Sequence, residues 1–189
     1  MTANTEPQQD VISILTTDHR EFFDLIAQIG ATPDPERQRD LTDTLIAEIV
    51  RHSVGEEMYV YPAMRDHLPN GKEAADHDTE EHKEIERTMK SLEGADAGDP
   101  EFLSLVTQLE DLLRHHVEDE EREQFPQLRA HLSPDDLVKL GGKLETAKKV
   151  APTRPHPAAP NAALFHKLAG PGVGLVDRLR DKLTGRTTG

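Results

Sequence analysis

Apolar residues recur along this chain at three- and four-residue intervals, the spacing of helices that bury one face. In the first segment Ile12, Leu15, Phe22, Phe23 and Ile26 fall at offsets −7, −4, +3, +4 and +7 from His19. The pattern predicts a helix from about Gln8 to Ile29 with that histidine turned inward, stopped by Gly30. Asp34-Pro35 then restarts the chain as N-cap and first helical residue. In the second predicted helix Leu45 and Ile49 lie at −7 and −3 from His52, Glu56 at +4 and Tyr59 at +7, so the apolar seam turns polar at the histidine. Pro62 removes a backbone donor and predicts a kink, and Pro69-Asn70-Gly71 predicts a turn.

A third helix, about Lys72 to Leu92, has Ala75, Ile85 and Met89 at −7, +3 and +7 from His82, and its inner face includes Asp78 and Glu86. Gly94 to Gly98 read as a loop, after which Asp99-Pro100 repeats the cap-and-start device. In the fourth helix Leu105, Leu109, Leu112 and Leu113 lie at −11, −7, −4 and −3 from His116, whereas Ser104, Gln108 and Asp111 occupy the matching places before His115. His116 is therefore expected to face inward and His115 outward. Ser133-Pro134-Asp135-Asp136 caps a fifth helix ending near Lys149.

The pattern repeats. His52 to Pro62 and His116 to Pro126 both read H-x-x-x-E-E-x-x-x-[aromatic]-P, which aligns Glu56 with Glu120, Glu57 with Glu121 and Tyr61 with Phe125. An acid-His-base triplet precedes each copy, Asp18-His19-Arg20 by 33 residues and Glu81-His82-Lys83 by 34. The chain is thus two helix pairs of one design.

After the fifth helix the texture changes. Residues 150–163 form a Pro/Ala-rich linker, and residues 164–189 a basic tail with Leu175, Val176, Leu179 and Leu183 as an apolar stripe, leaving residues 1–149 as the bundle. Charge divides accordingly, about +4 on residues 151–189 and about −18 on the rest. A helix that short is marginal alone, below roughly 12–15 residues. The tail is expected to dock on the bundle's acidic exterior, an acidic membrane or another subunit being the runner-up.

The net charge of −14 argues against nucleic acid, and no aromatics alternate with Arg or Lys. MTANTEPQQD has neither a basic start nor an apolar stretch, and no run is long enough to span a membrane, so a cytoplasmic protein is expected. Homo-oligomerisation is left open. Without cysteine, any metal must be held by histidines and carboxylates.

Four inward histidines, with Glu56 and Glu120 each one turn past one of them, put four imidazoles and two carboxylates at one level of a four-helix bundle. A lone H-x-x-x-E is ordinarily a helix-surface pair worth a few tenths of a kcal/mol; two aligned copies, each on an apolar seam, are not explained that way. Burying these groups without a cation would cost several kcal/mol per ion, against a total stability of about 5–15 kcal/mol. Six ligands exceed one tetrahedral zinc, and two carboxylates able to bridge favour a pair of ions, iron first and manganese second.

Through DH at 18–19, HSVGEE at 52–57, EH at 81–82 and HVEDEE at 116–121, the chain resembles the hemerythrin-like, or HHE cation-binding, family over about residues 8–132. The resemblance implies an all-α, up-down-up-down bundle, here with an additional C-terminal helix, around a non-heme di-iron centre. That centre would bind or react with dioxygen, hydrogen peroxide or nitric oxide. His19, His52, His82 and His116 would be terminal ligands, and Glu56 and Glu120 bridging carboxylates. Oxygen-carrying members have a further histidine four before the third-helix one; Asp78 stands there, which points away from reversible oxygen carriage.

Glu57 and Glu121 stand as partners behind the ligands or as alternative ligands. Tyr61, just before Pro62, is a hydrogen-bond donor to the site, a ligand or simply core. His67, His77, His131, His156 and His166 read as exposed or linker residues. No nucleophile or acid-base dyad is visible. The leading expectation is a di-iron protein that handles these oxidants and gases, with peroxide decomposition through an Fe(II)/Fe(III) cycle as one form of it. The rival is a non-enzymatic iron or oxygen sensor, or iron-binding module, that signals through its tail.

Overall fold

The computed structural model describes residues 9–157 together with Asp177, Asp181, Lys182 and Arg186. The described residues are helical throughout the bundle: α1 Val11–Ala31, α2 Pro35–Gly55, α3 Tyr61–His67, α4 Gly71–Gly94, α5 Pro100–Asp119, α6 Phe125–His131 and α7 Pro134–Val150. Two π-helical turns, Glu56–Val60 and Glu120–Gln124, join α2 to α3 and α5 to α6, so each histidine-glutamate motif lies on one continuous rod. The four rods, α1, α2–α3, α4 and α5–α6, form the bundle. α1 pairs with α2, α4 pairs with α5, and α7 packs along α1 and α2.

The helix starts follow from their capping residues. Asp34 and Ser133 accept from the backbone N–H groups of Glu36 and Asp136, and Pro35, Pro100 and Pro134 open their helices. Two boundaries in the first helix differ from the expected ones. Asp10 caps it by accepting from the Ser13 N–H, so it begins at Val11 and not near Gln8. It also runs through Gly30 to Ala31, because Pro33 is what ends it: the residue before a proline is driven out of the helical region, and Thr32 is extended at φ −95° and ψ 131°.

Two apolar clusters fill the interior. Phe22, Ile46, Ile49, Met89 and Phe102 belong to the one toward the α1–α2 and α4–α5 connections, and Leu15, Val60, Met64, Phe125 and Leu144 to the other. Between them lies a polar layer. α7 reaches the second cluster because two glycines let it come close: a Cβ on Gly55 would strike the Leu144 side chain, and one on Gly141 would strike the Gln9 carbonyl. The second obstacle is backbone and cannot rotate away. Gly141→Ala is expected to lower the melting temperature by roughly 2–10 °C, the cost of overpacking. Gly142→Ala, with nothing within 4 Å, should leave it unchanged or slightly higher. Thermal melts of the two variants check this.

The chain after α7 is not a free linker. Ala151, Pro152, Thr153 and Pro155 are buried. Arg154 pairs with Glu93 at 3.1 Å and Asp181 at 2.6 Å, while Arg186 pairs with Asp43 at 3.4 Å and with Glu93. Basic groups from the C-terminal region thus meet bundle carboxylates. The stripe Leu175, Val176, Leu179 and Leu183 lies outside the described residues, as does His166. No helix among the described residues is long and apolar enough to cross a membrane.

Candidate metal centre

Each motif ends in a proline inside a continuous helix, where a proline ring collides with the carbonyl four residues back. The chain answers with a wider turn. Tyr61 N–H bonds to the carbonyl of Glu56 and Phe125 N–H to that of Glu120, five residues back in both rods. The kink expected at Pro62 is therefore a π-helical turn that opens at the candidate ligand itself. One inserted residue also resets the helix phase. Nine residues past His52, Tyr61 would sit about 180° round an ideal α-helix, and the insertion brings it to about 80°.

All six expected ligand residues, His19, His52, Glu56, His82, His116 and Glu120, are brought together, each at most 5% exposed. Glu56 Oε2 lies 3.1 Å from His52 Nε2 and 3.4 Å from His82 Nε2. Glu120 Oε2 lies 3.3 Å from His19 Nε2 and 3.7 Å from His116 Nε2. Each glutamate therefore faces one imidazole from each half of the repeat. Their donor atoms form two groups, His19-His52-Glu56-Glu120 and Glu56-His82-His116, each within 4.8 Å and sharing Glu56. Both carboxylates and His19 Nε2 are buried with no hydrogen-bond partner. Orphaned lone pairs converging on one space are what a cation would satisfy.

Behind the imidazoles stands a second ring of acids. The Nδ1 atoms of His19, His52, His82 and His116 lie 2.8, 3.0, 3.1 and 2.9 Å from Glu121, Asp18, Glu57 and Glu81. An ionised carboxylate only accepts, so each Nδ1 donates and each Nε2 is the atom offered inward. Glu57 and Glu121 cross between the halves, whereas Asp18 and Glu81 serve the next helix of their own half. The acids of the two acid-His-base triplets thus orient a histidine on the neighbouring rod.

Electrostatics reflect the crowding. Burial would push the His52 imidazole down, but Glu56 and Asp18 reverse that and hold it at about 9. His82 and His116 are likewise raised, against burial, by Glu56 with Glu57 and by Glu120 with Glu81. Glu56, which burial alone would raise, is drawn well below the carboxylate range by His52 and His82. Asp78 goes the other way: burial and the Glu120 charge push it up to about 7.

The two halves differ around this layer. Tyr61 Oη lies 3.0 Å from His82 Nε2, while its counterpart Phe125 stacks on His19 with centroids 5.9 Å apart. Asp78 and Gln124, bonded to each other at 2.9 Å, occupy the places of Leu15 and Val60. The polar side of the site is thus at His82 and His116. A cavity of about 30 Å³ touches His82 and Glu57 and is lined also by Ser53, Glu86, Arg154 and His156. His156, expected to be a linker residue, instead gives its backbone N–H to Glu86 at 2.7 Å and faces Asp177 at 2.9 Å. His67 and His131 are exposed, as expected.

The family profile described as hemerythrin HHE cation binding domain matches residues 10–128. The chain belongs to that family. An uncharacterized hemerythrin-like protein of Schizosaccharomyces pombe is 32% identical over 167 residues, covering 88% of this chain and 82% of that protein. A Nostoc protein named DNA nickase is 26% identical over 140 residues, 74% of this chain but 38% of that protein. The crystal structure of a hemerythrin HHE cation binding domain-containing protein from Mycobacterium kansasii, a homologue of Rv2633c, superposes with a TM-score of 0.66. It shares 17% identity, and the match covers 89% of this hemerythrin-family chain and 99% of that one. Fold and family agree with the expectation from the sequence.

Proposed function

We propose that His19, His52, His82 and His116, with Glu56 and Glu120 bridging, hold two iron ions, and that the centre binds or reacts with dioxygen, hydrogen peroxide or nitric oxide in a cytoplasmic protein. One observation carries this reading: each orphaned glutamate faces an imidazole from both halves of the repeat. Nitrogen and carboxylate donors without sulfur suit iron, with manganese second. Iron bound there would supply a one-electron couple at each ion, able to exchange electrons with such oxidants and gases.

The chain's own groups set the rest. Tyr61 Oη and the Asp78–Gln124 pair are the protic groups beside the layer, all on the His82–His116 side. In the metal-free protein burial and the Glu120 charge push Asp78 up to about 7, so it stands beside the layer as a proton-bearing carboxyl. The cavity of about 30 Å³ at His82 has room for a water-sized molecule. Metal analysis and an absorption spectrum of aerobically purified protein test the reading. Two irons per chain with ligand-to-iron charge-transfer bands are expected; one zinc and no bands would defeat it.

A sensor reading has one specific support. Arg154 and His156 line the cavity at His82, which sets the C-terminal segment against the candidate centre. Peroxide turnover by the iron-loaded protein favours the enzyme, and binding without turnover favours the sensor.

A further inference from the structure

A second set of metal-type donors stands on the surface, where α4 faces α5. His77 and Glu81 are one turn apart on α4, His115 and Asp119 one turn apart on α5, and one donor atom from each lies within 4.8 Å of the others. His77 Nε2 is 3.5 Å from Glu81 Oε1 and 3.8 Å from Asp119 Oδ2; His115 Nε2 is 3.5 Å from the same Glu81 oxygen. Ligands about 2.0–2.2 Å from a first-row ion sit roughly 3–4 Å from one another. Small rotations of exposed side chains would bring the set to that spacing.

Comparison of the two halves argues that this is more than a chance cluster. Asp18 and Glu81 hold equivalent places, each accepting from the Nδ1 of the next inward histidine. The outer side of Asp18 is taken by a built-in cation: Lys148 of α7 reaches both its oxygens at 2.6 Å. No lysine or arginine pairs with Glu81 among the described residues; two imidazoles and Asp119 surround it instead. The corresponding positions in the first half are Ile14, Arg51 and Gly55, which offer no metal donor.

The surface set also connects inward. Asp78, Glu81 and His116 form a further donor group within 4.8 Å, and the Asp78 Oδ2 atom is buried without a hydrogen-bond partner. Glu81 therefore belongs to the outer and middle groups, and His116 to the middle and inner ones. The three groups thus follow one another from the surface to the buried layer.

We propose that His77, Glu81, His115 and Asp119 form a surface site for a divalent transition-metal ion, and that this site is the port through which iron reaches the buried centre by way of Glu81 and Asp78. The port rests on the di-iron reading; the surface site does not. Two imidazoles and two carboxylates on an exposed face bind first-row divalent ions generally, with water completing the shell.

The test titrates metal-free full-length protein with Co²⁺ and follows the filling of the sites by visible absorption and calorimetry. The wild type is expected to show a tight class and a weaker one. His77→Ala/His115→Ala, altering side chains 56% and 67% exposed, should lose the weaker class, keep the helicity of the wild type and fill the tight class to the same extent. Filling of the tight class should slow several-fold. Persistence of the weaker class in the double variant overturns the surface site. Its loss with unchanged filling speed overturns the port. Absence of the tight class from the wild type overturns the port and the di-iron reading together while leaving the surface site standing.

Discussion

Alanine at His52 or His116 is expected to strip the protein of metal and to lower its melting temperature by roughly 6–20 °C, the shift that corresponds to breaking a buried ionic contact worth 3–5 kcal/mol. His52 sits between two carboxylates, Glu56 at 3.1 Å from Nε2 and Asp18 at 3.0 Å from Nδ1. Truncation leaves the fully buried Glu56 with one imidazole fewer, and Asp18 with Lys148 alone. His116 stands likewise between Glu120 and Glu81. Loss of bound metal adds to the loss, because an ion that binds only the folded state stabilises it. Elemental analysis and thermal melts of the same preparations check both effects. His115→Ala, on the outer face, should leave the metal content of the buried centre as it is and, in metal-free protein, the melting temperature unchanged. If His115→Ala strips the buried metal and His116→Ala does not, the face assigned to α5 is wrong.

The inward phase of the four histidines was legible because each stands on an apolar seam, and Glu56 and Glu120 came with it by lying one turn further on. Local periodicity fixes which face a residue occupies, but it says nothing about partners on other rods. Asp18 and Glu81 illustrate the limit. Their repetition before His19 and His82 was visible, yet each serves the histidine of the following helix, a relation that exists only once the rods are side by side. The same holds for Glu57 with His82 and Glu121 with His19, which cross between the halves.

Tyr61 was illegible for a different reason. Its position depends on the π-helical turn that Pro62 provokes, and helical counting fails across an inserted residue. The C-terminal segment shows a third limit. Its proline content reads as a linker, but burial of Thr153 and the pairing of Arg154 depend on Asp181 and Glu93, far away in sequence. His77 and His115 were rightly placed outside. What the sequence pattern lacked was any sign that α4 and α5 bring them to one carboxylate.

Metal-free protein is expected to lose stability as pH rises from 6 to 9, while its affinity for metal increases over the same range. His52 binds its proton with a folded-state value of about 9 against an ordinary 6.5. Its favourable contribution is fully present below 6.5 and is lost as pH climbs through 9, on the order of 3 kcal/mol in all. Asp78, raised from 3.8 to about 7, acts in the same direction at lower pH, since ionising it beside Glu120 becomes a growing penalty up to neutrality. With metal bound the sign reverses: the ion takes the places of these protons, so alkaline conditions remove its competitor. Binding should therefore release protons near pH 7, measurable as a dependence of the calorimetric heat on the ionisation enthalpy of the buffer. Thermal melts of metal-free and metal-loaded protein from pH 6 to 9 should diverge, the first falling and the second holding or rising. Parallel falls in the two, or a metal-free melting temperature that climbs with pH, would show that the imidazoles are not held protonated by Glu56 and its neighbours in the way the geometry requires.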